Sequence, residues 1–168
     1  MPLTLREKIL RNIAGLDDAG EPSSPVAGLR SITVSNGYNQ TIERTYLIGV
    51  SSMQMTVFPA INVIERGDAV KRLLQKIDEH LMTVELECFI NESIDQQRTL
   101  ELERFMADVA GFVEDDDNQT WGELAIRTSV VRVGSSPFEL QEPFSINRVT
   151  MEVLYRTERG NPFVQAIL

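Results

Sequence analysis

Apolar residues change their spacing from one stretch of the chain to the next, and the longest run at helical spacing lies in the second half. Between Thr99 and Val113, the residues Leu102, Phe105, Met106, Val109, Phe112 and Val113 recur every three or four positions, which places them on one stripe of an α-helix. Glu101, Glu103, Arg104 and Asp108 fall on the other side and are expected to face water. A helix with one apolar stripe needs a surface to bury it. Leu81 to Ile90 and Leu124 to Val133, on either side, carry the alternating or β-branched pattern of strands. The expectation is strand, helix, strand, with the helix lying on a sheet in an α+β domain.

Around this centre the pattern predicts further elements. Thr4 and Glu7 have the S/T-x-x-E spacing of a capping box, and Leu5, Ile9, Ile13 and Leu16 give a first helix that Gly15 can end. Asp17 to Ala27, with Gly20, Pro22, Ser23, Ser24 and Pro25, reads as an exposed, mobile loop. Ile32 and Val34, then Tyr46, Ile48 and Val50, alternate on either side of Asn36-Gly37, predicting a hairpin or two short strands around the Asn36 to Gln40 turn. Pro59 opens another strand, with Ile61 and Val63 on one face and Ala60, Asn62 and Ile64 on the other, which Gly67-Asp68 is expected to close. Ala69 to Leu81 fits either a helix capped by Asp68 or a hairpin arm turning near Asp78 and Glu79. After the central helix, Trp121 is expected to plug the end of the core. Gly134 to Phe144 reads as a second loop. Val149, Met151, Val153 and Tyr155 then alternate with Arg148, Thr150, Glu152, Leu154 and Arg156 in a last strand.

The final residues, 159–168, form a C-terminal arm. Pro162 has no N–H for a strand ladder, so the chain is expected to leave the sheet near Gly160-Asn161. Phe163, Val164, Ile167 and Leu168 then need cover, on the chain's own domain or on a neighbour. With Arg156, Asn161 and Pro162 they are the candidate assembly interface.

A length of 168 residues and a 42% hydrophobic content suit one domain with a real core. No run approaches the roughly 20 apolar residues that span a bilayer, and charges interrupt the apolar positions of Met1 to Gly15, unlike a secretory signal. Synthesis in the cytoplasm is expected. The one cysteine, Cys88, shares a strand face with Met82, Val84, Leu86 and Ile90 and reads as a buried, inert thiol. A net charge of −9 argues against sequence-specific DNA binding, though an acidic lining would let DNA pass without sticking. Asp115, Asp116 and Asp117, in the run from Glu114 to Asn118, are the candidates for such a lining; the run lacks the spacing of a calcium loop and reads as a solvated turn. His80, the one histidine, has no second His or Cys near it in the chain for a metal site. With no phosphate loop, Cys/His cluster or nucleophile motif, the reading is non-enzymatic, with no cofactor and no metal, and assembly remains.

The order of pieces is similar to that of one family. Leu5-Arg6-Glu7-Lys8-Ile9-Leu10, Ile32-Thr33-Val34-Ser35-Asn36-Gly37-Tyr38-Asn39, Phe58-Pro59-Ala60-Ile61-Asn62-Val63-Ile64-Glu65 and Tyr155-Arg156-Thr157-Glu158-Arg159-Gly160-Asn161-Pro162 resemble the small structural proteins of tailed-phage virions, most of all the tail terminators. The resemblance implies a mostly antiparallel sheet with helices packed on one face. It also implies a hexameric ring that caps the last layer of the tail tube, ends its growth and joins the neck, with DNA passing through the channel and no membrane partner. A head-to-tail connector or other tail-completion protein of the neck is the alternative. The Asp17 to Ala27 loop and the long Ala69 to Leu81 segment depart from the family's pattern.

Overall fold

Two strands of near-equal length form the middle of the molecule, a computed structural model that describes residues 2–47, 56–73, 76–91, 95–134, 139–141 and 144–166. Along the chain run α1 (Leu5–Ala14), two short 3₁₀ turns (Gly28–Ser31 and Val34–Asn36), β1 (Arg44–Leu47), β2 (Ala60–Arg72), β3 (Ile77–Ile90), α2 (Asp95–Glu114), β4 (Arg127–Val133), β5 (Glu139–Gln141), β6 (Phe144–Glu158) and β7 (Asn161–Gln165). The 7-stranded sheet has the order β1-β2-β3-β6-β4, with β5 and β7 also pairing with β6. Every pairing is antiparallel except β1 with β2. The fold is α+β.

Alternation decides which side of the sheet is buried. Ile61 and Val63 of β2, Met82, Val84, Leu86, Cys88 and Ile90 of β3, and Val149, Met151, Val153 and Tyr155 of β6 form one core with Leu5, Ile9 and Ile13 of α1 and the stripe of α2. Both helices therefore cover the same face. On α2 the stripe Leu102, Phe105, Met106, Val109, Phe112 and Val113 is buried, as its spacing predicts. Asp108 departs from the expectation. It is buried because its carboxylate accepts the N–H of Asn39 at 2.8 Å and the amide of Asn39 at 2.7 Å, while Glu101 accepts the Gln40 amide at 2.8 Å. Two polar residues of the helix thus hold the loop after the second 3₁₀ turn.

The first helix has the predicted capping box, with Thr4 N–H donating to Glu7 at 2.7 Å. That hydrogen bond, and the one from the Thr4 hydroxyl, holds the Glu7 carboxyl below its ordinary range. Gly15 ends the helix at φ 71°, packed against the backbone of Ala27 and Gly28. A Cβ on Gly28, at φ 57°, would lie 2.1 Å from the Asn12 carbonyl oxygen, so this crossing requires glycine.

Several expectations from the pattern are corrected, and one alternative left open is decided. The alternation at Ile32 and Val34 forms no strand or hairpin: Leu29 and Ile32 are buried from 3₁₀ geometry, the Thr33 hydroxyl accepts from Asn36 N–H, and Gly37 ends the turn at φ 92°. Of the following pattern, Tyr46 lies in β1, whereas Ile48 and Val50 lie outside the described residues. Gly67-Asp68 does not close β2, which continues through a bulge between Glu65 and Gly67. Ala69 to Leu81 is the hairpin arm and not a helix, and it turns earlier than Asp78, with Leu73 N–H donating to Ile77 O at 3.0 Å. The chain does not leave the sheet at Gly160 either: a turn at φ 76° sends β7 back along β6. Pro162 is tolerated because β7 is an edge strand with a register shift beside it. The loop expected from Gly134 to Phe144 contains the short strand β5.

Removing the Phe105 ring from the α2 stripe should cost about 3–5 kcal/mol as Phe105→Ala, whereas Glu103→Ala on the exposed side should stay within about 0.5 kcal/mol. Urea unfolding of both variants measures the difference, and equal losses would mean that the helix is rotated.

Candidate functional site

The bulge in β2 creates a polar cluster at the far end of the core. A β-strand sends alternate residues to opposite faces, so one extra residue reverses the faces for everything after it. Ala60 and Asn62 point away from the helices, and by simple alternation Asp68 would too. With Arg66 as the extra residue, Asp68 pairs with Met82 on the helix side. There its Oδ2 accepts from the Tyr155 hydroxyl at 2.7 Å and lies 2.9 Å from His80 Nδ1, while His80 Nε2 lies 3.0 Å from the Thr157 hydroxyl. The His80 ring stacks on Tyr155, centroids 4.6 Å apart. A carboxylate only accepts, so Nδ1 carries a hydrogen and donates to Asp68.

Thr157, His80 and Asp68 thus stand in the order of nucleophile, base and orienting acid. Of the three, the His80 and Asp68 side chains keep 15% and 14% exposure, whereas the hydroxyl-bearing residue is buried. Thr157 and Tyr155 are 4% and 2% exposed, and the four described cavities are lined by other residues. Burial, reinforced by the bond to Asp68, pushes the Tyr155 phenol well above its ordinary value of 10.0. The ring therefore stays a neutral donor. Around it, Arg6 of α1 reaches Glu65 at 3.1 Å, Arg156 reaches Glu79 at 2.7 Å and Arg159 reaches Asp78 at 3.2 Å. These contacts fasten the hairpin arm to β6 and to α1.

The face of the sheet away from the helices carries an ionic ladder. Glu87 receives Arg148 at 3.2 Å and the Asn62 amide at 3.3 Å, and Arg66 and Arg148 share Glu85. Beside this ladder, Ala60, Phe89 and Ile146 form a second apolar cluster with Tyr46 and Phe58.

Of the candidate interface residues, Arg156 is engaged by Glu79 within the chain. Asn161 accepts the N–H of Phe163, and Pro162 is exposed at the turn. Phe163 and Val164 are 46% and 39% exposed, on a strand fixed by Ala166 N–H to Arg156 O and by the Gln165 amide to Glu123 O at 2.7 Å. Ile167 and Leu168 lie outside the described residues. Asp115, Asp116 and Asp117 form an exposed turn in which the Asp115 carboxylate accepts Asp117 N–H at 3.0 Å. Trp121 closes the core, donating to Thr128 at 2.7 Å. Cys88 is buried, which raises its thiol above the ordinary range and leaves it a packing residue. Among the described residues no group of three His, Cys, Asp or Glu side chains could hold a metal, and no helix is long and apolar enough to cross a membrane.

Sequence reasoning missed the His80 cluster. Gly67 inside a strand pattern was the available signal for a bulge.

No protein-family model matches the chain, and no curated protein shows significant similarity to it.

The folded state holds Tyr155 protonated, so its contribution is complete below about pH 10, where the unfolded phenol would begin to ionise, and is lost as pH rises further. Tyr155→Phe should lower stability by about 1–2 kcal/mol at pH 8 and flatten the loss above pH 10. Urea titrations across that range read both effects; an unchanged alkaline slope would mean that the phenol is not held by Asp68.

Proposed function

We propose that this chain is a non-enzymatic virion assembly protein of the tail-terminator type, which forms a ring on the last layer of a phage tail tube and presents a surface to the neck. The observation that carries the reading is the placement of apolar residues along one margin of the sheet, where β4 and β7 both pair with the side of β6 opposite β3. Phe163 and Val164 on β7, and Val131 and Val133 at 51% exposure on β4, stand out on strands with which, among the described residues, no strand other than β6 pairs. Edge strands with apolar side chains are aggregation hazards in a solitary domain and natural contacts in an assembly. The resemblance of the four sequence stretches points to the same class, as does a mostly antiparallel sheet with both helices on one face.

In this reading the Arg156–Glu79 pair and the Gln165 contact preorganise the arm for a neighbour. The acidic turn at Asp115, Asp116 and Asp117 would then face the DNA path, where like charge keeps the duplex from sticking. A ring made by one repeated contact requires a heterologous interface that closes, which this margin would make with a different face of the neighbouring subunit.

Phe163→Asp combined with Val164→Asp should leave the melting temperature within a few degrees of wild type, because both side chains are exposed. The same variant should lose ring formation and tube capping, read by light scattering and negative-stain images of the protein alone and with tube protein. A wild-type protein that stays monomeric under both conditions contradicts the proposal.

A further inference from the structure

We propose that the cleft between the outer edge of β1 and the Leu16–Pro22 segment is a docking site for an extended, acidic peptide segment of a partner protein, taken up as an added strand. This inference stands apart from the ring reading and does not need it.

The cleft encloses about 610 Å³, and Arg11, Arg30 and Arg44 all line it. In a chain of net charge −9 this places three cations together, set against the carboxylates of Glu21 and Glu43 in the lining and of Asp17 in the wall turn. Among the described residues none of the three arginines forms an ion pair. Two of the guanidinium groups are positioned by the fold. Arg44 lies 5.4 Å from the centre of the Tyr46 ring, and Arg11 donates to Asp17 O at 3.1 Å. Gly20, at φ 88°, makes room for Arg11, since a Cβ there would stand 2.9 Å from its Nη1.

The floor of the cleft is an unused strand edge. Glu43 N–H donates to Pro59 O at 3.0 Å, so the residues in step with it, Thr45 and Leu47, turn their peptide groups toward β2. By alternation Arg44 and Tyr46 turn theirs outward, and among the described residues no strand pairs with that side. The opposite wall is a built turn. The Asp17 carboxylate accepts the N–H groups of Ala19 and Glu21 at 2.9 Å each, Gly20 N–H donates to Asp17 O at 3.0 Å, and Leu16 bridges to Pro22. Strand addition supplies main-chain hydrogen bonds, and the arginines select the charge of the incoming side chains. A long polyanion such as a nucleic acid would meet the same arginines but would also feel the field of the whole acidic protein and could not use the peptide edge.

The test measures binding of a fluorescent eight-residue peptide of alternating Glu and Val to the full chain by anisotropy. Three probes accompany it: the Lys-for-Glu peptide, the acidic peptide N-methylated at alternate residues, and an eight-nucleotide single strand of DNA. The expected result is saturable binding of the acidic peptide, with each other probe weaker by roughly tenfold or more. Arg30→Gln and Arg44→Gln should each weaken the acidic peptide by roughly tenfold without shifting the melting temperature, and Arg127→Gln on the opposite edge of the sheet should have no effect. Amide exchange at Arg44 and Tyr46 should slow when the peptide is bound. Absence of binding, equal binding of the Lys peptide, full binding of the N-methylated peptide or tighter binding of DNA would each overturn the proposal.

Discussion

The pairing of β3 with β6 is the constraint on which the rest of the structure depends. It runs without a register shift from Ile77 opposite Glu158 to Ile90 opposite Ser145, long enough to carry a helix-covered core at one end and an open arm at the other. Because the pleat alternates, this single register places Met82, Val84, Leu86, Val149, Met151 and Val153 under the helices and Glu85, Glu87 and Arg148 on the opposite face. A slip of one residue would invert both faces at once. Every other strand that pairs directly with this couple takes its place from it.

Where neighbouring strands depart from this regularity, they create the features that distinguish the molecule. The bulge at Arg66 turns Asp68 inward to meet His80 and Tyr155, and a second bulge between Val130 and Arg132 lets β4 end with exposed apolar residues. The hydrogen bond from Val130 N–H to Glu114 at 2.7 Å ties that edge to the end of α2. Bulges therefore convert a uniform ladder into one with a locked arm and presentable margins.

Periodicity in the sequence was informative wherever burial alone set the structure. The α2 stripe, the first helix with its Thr4–Glu7 box, the faces of β3 and β6 and the placement of Trp121 all follow from spacing. It misled where short-range hydrogen bonding or a change of phase intervened. Ile32 and Val34 alternate like a strand, but Thr33 and Gly37 offer local caps that a 3₁₀ turn uses. Asp108 looks exposed on a helical wheel, yet Asn39, 69 residues away in sequence, satisfies it. His80 gained Asp68 as a partner only through the bulge, and the three arginines beside β1 come from α1, the first 3₁₀ turn and β1 itself, so no local pattern links them. The functional expectation rested chiefly on the resemblance of four short stretches, since assembly surfaces have no sequence motif comparable to a metal or phosphate site.

A protein that ends tube growth must change the length of tubes. Tube protein polymerised with and without this chain, imaged by negative stain, gives that measurement most directly. The account predicts that added protein narrows the length distribution and leaves a ring of density at one tube end. Tubes of unchanged length with bare ends, at protein concentrations where the chain is folded and in excess over ends, would contradict it.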